Sequence, residues 1–522
     1  MINKLKNFVH VSLVVICMAA GSISRASANG PIETYPLVKT AEISDVFKTN
    51  AAGQNVFTQK FKDIHYVRFA HQKLVEVTIT ITEQVKDWEI SPKTNIKGQQ
   101  MKGNVLHLVL EKPGYHVITI NKKQRLFLLT DSIAKKIAVG KGNSDIVSIM
   151  SYKVDATGNN LSTAIIQKAL DESAAKKKIL FFPAGIYKTG SIKVSSNARI
   201  YLAGGAMIKG SEKREDYPAD DNKKESDLVN DKANFTDNGE WMTFSRLLLI
   251  DNATNVKIWG DGCIDGSGSI VRALGKPANL IRIRNSKNVL IEGIELRDPA
   301  CWNTHILKSE NVTLRNIKML NDRNVANTDG FDPDASVNVL IDHCFAYCSD
   351  DNIAIKTTNN GGLLQDCENI TIQNSVFITK KSALKVGTET KGGFMRNITF
   401  KNNYVVEADR GMVLYCNDGA TFENISFVNN YFEKGYQSSN LKSIHFQIKD
   451  RSGKGQIKNV LIKDCTIAPT FSNVSEITGL DAGHIIDGVK FKNLKVDGKI
   501  CLSASQIGLK TNEFVKNVSF EE

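Results

Sequence analysis

Between about residues 30 and 140, apolar and polar positions alternate in short runs. Leu74-Val75-Glu76-Val77-Thr78-Ile79-Thr80-Ile81 and Val105-Leu106-His107-Leu108-Val109-Leu110 both show the period of two that marks a half-buried strand. Turn signals such as Lys112-Pro113-Gly114 separate the runs. Short strands at this spacing predict a small antiparallel β-sandwich. The period then changes. Ile165, Ile166, Ala169 and Leu170 recur at helical spacing and predict a helix over Leu161–Lys176. Ile179 to Tyr187 reads as a strand and turn, and Ser191–Gly210 as two further short strands. A long polar insertion, Ser211–Glu240, follows.

Beyond it one unit repeats: Asn or Gly, then apolar-x-apolar. It appears as Asn255-Val256-Lys257-Ile258, Asn288-Val289-Leu290-Ile291, Asn338-Val339-Leu340-Ile341 and Asn369-Ile370-Thr371-Ile372, and continues to Asn517-Val518-Ser519-Phe520. Repeats of this length, each too small to bury a core alone, predict a solenoid. Each repeat is one coil of short strands, with apolar residues pointing inward at alternate positions. The recurring Asn is expected at the turn before a strand, its side chain bonded to the Asn one coil away. A leucine-rich solenoid has a similar period, but its leucine spacing is absent. The expected fold is therefore all-β, a right-handed parallel β-helix preceded by a small β-sandwich. The expected domains are a leader over 1–28, the sandwich over 29–145 and the β-helix over 146–522. The helix near Leu161 is expected to cap the first coil.

Composition changes little in this picture, except at the N-terminus. Lys4 and Lys6, an apolar stretch from Phe8 to Ala20, and Ala26-Ser27-Ala28 form a secretory signal pattern. The expected location is periplasmic or secreted, with no membrane attachment after processing. The formal charge is +12, a balance that would favour acidic polysaccharides at long range but equally fits lysines that simply solvate a long surface. The lysines are scattered, so nucleic acid is not an expected partner. The cysteines form no CxxC pair, and buried free thiols are as consistent with their positions as disulfides. Oligomeric state is not legible in the sequence.

Coil stacking makes residues about one repeat apart into neighbours. Asn327-Thr328-Asp329-Gly330-Phe331-Asp332 is followed by Ser349-Asp350-Asp351-Asn352, which places Asp329 one short coil from the Asp350-Asp351 pair. Clustered carboxylates raise one another's pKa, so acid and base forms coexist near neutrality. Glycosidic cleavage requires that mixture.

From Asp155 to about Asn429 the chain resembles glycoside hydrolase family 28, the polygalacturonase group. Pro183-Ala184-Gly185-Ile186-Tyr187-Lys188-Thr189-Gly190 resembles its Pro-x-Gly-x-Tyr-x-x-Gly segment. Asp298 to His305 is similar to its Ser-Pro-x-Trp-x-x-His segment, while Asn327-Thr328-Asp329-Gly330 and Asp350-Asp351 match two of its signature motifs at matching separation. The resemblance implies an inverting hydrolase of a pectic polysaccharide or oligosaccharide, without cofactor or metal. Asp350 would be the general acid, Asp329 and Asp351 would hold and activate water, and Asn327 would position Asp329. Acid and base are then expected roughly 6.5–9.5 Å apart. Two family motifs differ. Ser382 stands where the family has His, and Val413 and Tyr415 stand where it has the Arg and Lys that grip a galacturonate carboxylate. Lys356, Lys385, Arg410 and Arg323 are the expected substitutes, Glu389 is a candidate for sugar hydroxyls, and Trp302, His305 and Tyr415 complete the expected substrate-binding set.

Three other readings compete. Ile341-Asp342-His343, with Asp332 and Asp334 as calcium ligands, resembles pectate lyases. A sandwich before a β-helix resembles dextranase-type hydrolases of neutral α-glucans, which the missing Arg and Lys favour. A non-catalytic carbohydrate-binding stem is compatible with the fold alone.

Overall fold

Each coil turns on an asparagine held in the left-handed region. Asn255, Asn288, Asn311, Asn338, Asn369, Asn397, Asn424 and Asn459 have φ between 54° and 59°. Asn tolerates that conformation better than other residues with a Cβ. Each of these side chains from Asn288 onward donates Nδ2–H to the Oδ1 of the Asn one coil earlier, at 3.1–3.4 Å. The stacking expected from the sequence is therefore present, with one difference. The ladder lies inside the strands and is exposed to solvent, not buried at the turn before them. At Gly488 the position passes to a glycine with φ 77°.

The computed structural model describes residues 30–38, 40–133, 144–218, 245–275, 278–358 and 366–522. The expected leader and most of the Ser211–Glu240 insertion lie outside them. From Ile146 onward the chain winds into three sheets of 13, 12 and 11 strands, parallel except for the last pair of the second, Lys495–Val496 with Lys499–Ile500, which makes a right-handed parallel β-helix. One coil contributes Glu310–Arg315 to the first sheet, Lys318–Leu320 to the second and Phe331–Asp334 to the third. The next contributes Val337–Asp342, Phe345–Cys348 and Ile353–Thr357 in the same order. Register is kept from coil to coil: Val312 pairs with Val339 and Val339 with Ile370, all buried. Repeated inward positions thus form continuous apolar columns, and the stacked rings of Phe400 and Phe427, 4.9 Å apart, belong to one. Ser191–Gly210 holds three strands where two were expected, because each coil needs one per sheet. The helix Thr163–Ala175 buries Ile166, Ala169, Leu170 and Ala174 over the first coil, as a cap. All eight cysteines among the described residues are buried free thiols.

Residues Ile32–Asp131 form a seven-stranded and a five-stranded sheet around a shared apolar core. Pairing is antiparallel except between Ile64–His71 and Gln124–Asp131, which run parallel. The larger sheet is buried on both faces. One face fills the sandwich; the other, with Tyr66, Tyr115, Phe127 and Leu129, packs on Leu320, Phe345, Tyr347 and Ile378 of the second sheet. Buried ion pairs cross the same seam: Arg68–Glu295 at 3.1 Å and Lys318–Asp131 at 2.6 Å. The sandwich thus covers the second sheet's outer face and leaves that of the third sheet to the candidate site.

Candidate active site

Asp329 lies in the turn between Lys318–Leu320 and Phe331–Asp334, and Asp350 and Asp351 lie in the equivalent turn one coil later. Both turns enter the third sheet, so stacking brings the carboxylates together. One oxygen from each of the three lies within 4.8 Å of the others. Gly330 makes this approach possible, since a Cβ there would sit 2.4 Å from the Asn352 carbonyl oxygen. The Gly330 amide donates to the Asp351 carbonyl at 2.8 Å and stitches the two turns to each other.

The three carboxyl groups differ electrostatically. Asp351 Oδ2 accepts from Lys385 Nζ at 2.6 Å, and its Oδ1 accepts from the Ser382 amide at 2.8 Å. Burial works to raise Asp351, but the charges of Lys385 and Arg410 outweigh it and hold this carboxyl at about 2. Asp350 is shifted the other way, upward, by burial and by the charge of Asp351. Asp329 is raised well above the carboxylate range by burial, with Asp332 and Asp350 adding to it.

Lys356 is the second cation of the site. Its Nζ lies 3.3 Å from Asp332, 3.5 Å from Glu389 and 3.7 Å from Asp329. It also sits 3.6 Å from the centroid of the half-buried Trp302 ring, so one face of that expected sugar platform carries an ammonium. Burial lowers Glu389's acidity, but Lys356 and Lys385 dominate and keep it ionised. Asp332, fully buried, is pushed up to about 7 by burial despite Lys356. Arg410 approaches the Tyr415 hydroxyl at 3.5 Å, and that oxygen lies 2.6 Å from His445 Nδ1. Arg410 and Lys385 therefore meet at Tyr415, while Trp302 and Glu389 meet at Lys356, with Glu389 also near Lys385.

Three expected site residues are placed differently. His305 is fully buried, with Nδ1 accepting from Arg282 and Nε2 donating to Asp334 at 2.9 Å. Burial holds it at about 4, so it is a neutral brace beneath the groove and not a groove residue. Asn327 accepts from Arg272 at 3.3 Å and makes no hydrogen bond to the Asp329 side chain. Asn321 does the backbone work instead, donating to the Thr328 carbonyl at 2.9 Å while accepting from Asn303 at 2.8 Å. Arg323 is withdrawn from the groove and bound to Glu407 at 3.1 Å. Asn303 and Asn321 went unassigned in the sequence, and Asp332 was read only as a calcium ligand of the lyase alternative, although its spacing from Asp329 was visible.

The calcium set required by the lyase reading does not gather. Asp334 is engaged by His305 and Thr358, whereas Asp342 lies at the end of a first-sheet strand beside His343. Among the described residues the one acidic cluster tight enough for a cation is Asp329, Asp350 and Asp351. Two lysines already offset its charge. No helix among the described residues is long and apolar enough to cross a membrane.

Comparison with known proteins agrees with this geometry. The chain is 25% identical over 281 residues to a probable polygalacturonase of Vitis vinifera, covering 51% of this chain and 56% of that protein. It is 24% identical over 322 residues to an exo-poly-alpha-D-galacturonosidase of Dickeya chrysanthemi, covering 51% of each. The chain thus spans about half the length of these curated relatives. Among solved structures, an exopolygalacturonase from Thermotoga maritima superposes with TM-score 0.53 at 20% identity, over 72% of this chain and 92% of that one. The family 28 exopolygalacturonase of Yersinia enterocolitica gives 0.52 at 16% identity, over 86% and 96%. At such identities the superpositions establish the fold. The family match itself extends over residues 222–507, more than half of the chain and the whole of the carboxylate site, and the chain belongs to glycosyl hydrolases family 28.

Proposed function

We propose that this protein hydrolyses glycosidic bonds of a pectic polysaccharide or oligosaccharide, of galacturonan or rhamnogalacturonan type, outside the cytoplasm. The reading rests chiefly on one observation: Asp351 is paired with Lys385 at 2.6 Å while the adjacent Asp350 has no ion pair among the described residues, which shifts the two carboxyls in opposite directions. A proton-bearing acid beside a carboxylate is what acid–base cleavage needs. Asp350 protonates the leaving oxygen. Asp351 activates the water, which Asp329 helps to hold, and the sugar inverts at its anomeric carbon. Arg410 and Tyr415 flank the site and supply contacts for a uronate. The names of the relatives support a galacturonan-type substrate.

A neutral α-glucan is the second reading. It is favoured by the commitment of Lys356 and Lys385 to protein carboxylates, which takes both lysines from a substrate carboxylate.

The test is incubation with pectic polymers, pectic oligosaccharides and α-glucans, with and without EDTA, following reducing ends and unsaturated products. New reducing ends without unsaturation, insensitive to EDTA, are expected from a pectic substrate. Cleavage of the glucan alone selects the second reading. Unsaturated, chelator-sensitive products indicate a lyase, and binding without cleavage indicates a carbohydrate-binding stem.

A further inference from the structure

Ser382 occupies the position of the family's histidine, yet its buried hydroxyl has no hydrogen-bond partner, and only its amide serves Asp351. The cation at Asp351 comes instead from three residues further along the same strand, Ser382–Thr390. Lys385 pairs in register with Ala354 on one side and Val413 on the other. Neither neighbour carries a charge. The lysine side chain, 8% exposed, is therefore directed to the 5% exposed Asp351, at 2.6 Å, while the Tyr415 ring lies 5.6 Å from its ammonium. Asp350 receives the Asp351 amide at 2.9 Å and makes no ion pair among the described residues. One close ion pair thus separates two neighbouring carboxyl groups, with the more distant charge of Arg410 acting in the same direction.

We infer that Lys385 is a positioning residue, whose ammonium fixes Asp351 as the carboxylate of the pair and so leaves the acid role to Asp350. The inference rests on the hydrolase reading for its catalytic meaning, while the sorting of charge stands on geometry alone. The other charged and titratable groups facing Asp351 are Asp329, Asp332, Asp350, Lys356 and Arg410, with Glu389 and Tyr415 beside Lys385. Arg410 makes no ion pair with Asp351, so it does not replace the close contact when Lys385 is removed. A lysine bound to substrate would act on affinity. One bound to Asp351 acts on turnover and on the pH at which the base ionises.

The experiment uses the full chain with Lys385→Met and Lys385→Arg, assayed on polygalacturonate or on the polymer that the panel identifies. In Lys385→Met, kcat is expected to fall at least about 100-fold, with KM changed by less than about threefold. The acid limb of the pH profile moves to higher pH, because Asp351 without its cation ionises later. Lys385→Arg restores the acid limb, since a cation is again in place. A raised KM with unchanged kcat and profile makes Lys385 a substrate contact and overturns the inference, as does a variant identical to wild type. Circular dichroism and thermal unfolding check folding; Lys385→Gln takes the place of Lys385→Met if that variant fails to fold.

A second readout needs no turnover. In a carboxyl carbon NMR titration, the Asp351 resonance, identified by its loss in Asp351→Asn, is expected to titrate more than about one pH unit higher in Lys385→Met. If that shift occurs and no polymer is cleaved, the hydrolase reading fails and the charge sorting stands. If cleavage occurs without the shift, the inference fails and the hydrolase reading stands.

Discussion

Arg125 of the sandwich and Arg323 of the turn leading to Asp329 bind the same carboxylate. Arg125 reaches Glu407 Oε2 at 2.5 Å, and Arg323 reaches Oε1 at 3.1 Å. Glu407 belongs to the second sheet, beneath the sandwich. The N-terminal sheets are thereby tied to the turn that presents Asp329, and Lys62 adds a longer contact to Asp322 in the same turn. Arg125→Met leaves Glu407 with one partner. Unfolding in urea should show a loss of about 2 kcal/mol. That lies below the ~3–5 kcal/mol of a fully buried pair because Arg125 is partly exposed. An unchanged midpoint would make the contact incidental.

Asp350→Asn keeps the side chain's shape and removes its proton-donating capacity. On the responding polymer kcat should fall about 10²–10⁴-fold, with substrate affinity in calorimetry within about threefold of wild type. Undiminished turnover would remove Asp350 from the acid role.

Product stereochemistry is read directly by proton NMR of the first anomer released. Inversion is expected from the family resemblance. The carboxylate oxygens nonetheless approach within 4.8 Å, closer than the roughly 6.5–9.5 Å usual between the acid and base of an inverting site. Retention would therefore identify one of these aspartates as a nucleophile.

His116 is buried, with Nδ1–H donated to the Pro92 carbonyl at 2.8 Å, and burial lowers it to about 4. Its native value lies below its unfolded one, so between about pH 6.5 and 4 the unfolded chain binds more protons. The stability this residue contributes is present above that window and lost as pH falls through it. Other groups oppose the trend, as buried Asp298 is raised to about 6. The difference between variants isolates the histidine. His116→Gln should lose less stability than wild type on acidification, by about 1 kcal/mol per pH unit. Parallel curves would show that His116 does not titrate in this way.

The solenoid and the carboxylate cluster were legible for the same reason. Asn repeats announce the coil, and a coil converts sequence spacing into proximity, so Asp329 and Asp350 could be paired in advance. The docking of the sandwich was not legible. The strand Ile64–His71 is buried at every position, and alternation reveals one buried face, not two. Lys385 read as a groove cation lying in a turn, whereas it sits inside the strand Ser382–Thr390. Its engagement with Asp351 depends on how the turn curls over the sheet edge. His305 was legible as a motif residue but not as a core one, since Arg282 and Asp334 reach it from neighbouring coils.

Ile192 pairs in register with Leu248 one coil later, although the whole Ser211–Glu240 insertion intervenes. Contour length and axial height are therefore independent in this molecule. A stretch of chain of almost any length is added between two strands without moving either. The β-helix resembles a reel whose spokes are fixed and whose rim is free to vary. A substrate cleft built on such a rim is remodelled by lengthening one turn at a time, while the carboxylates at its floor keep their spacing.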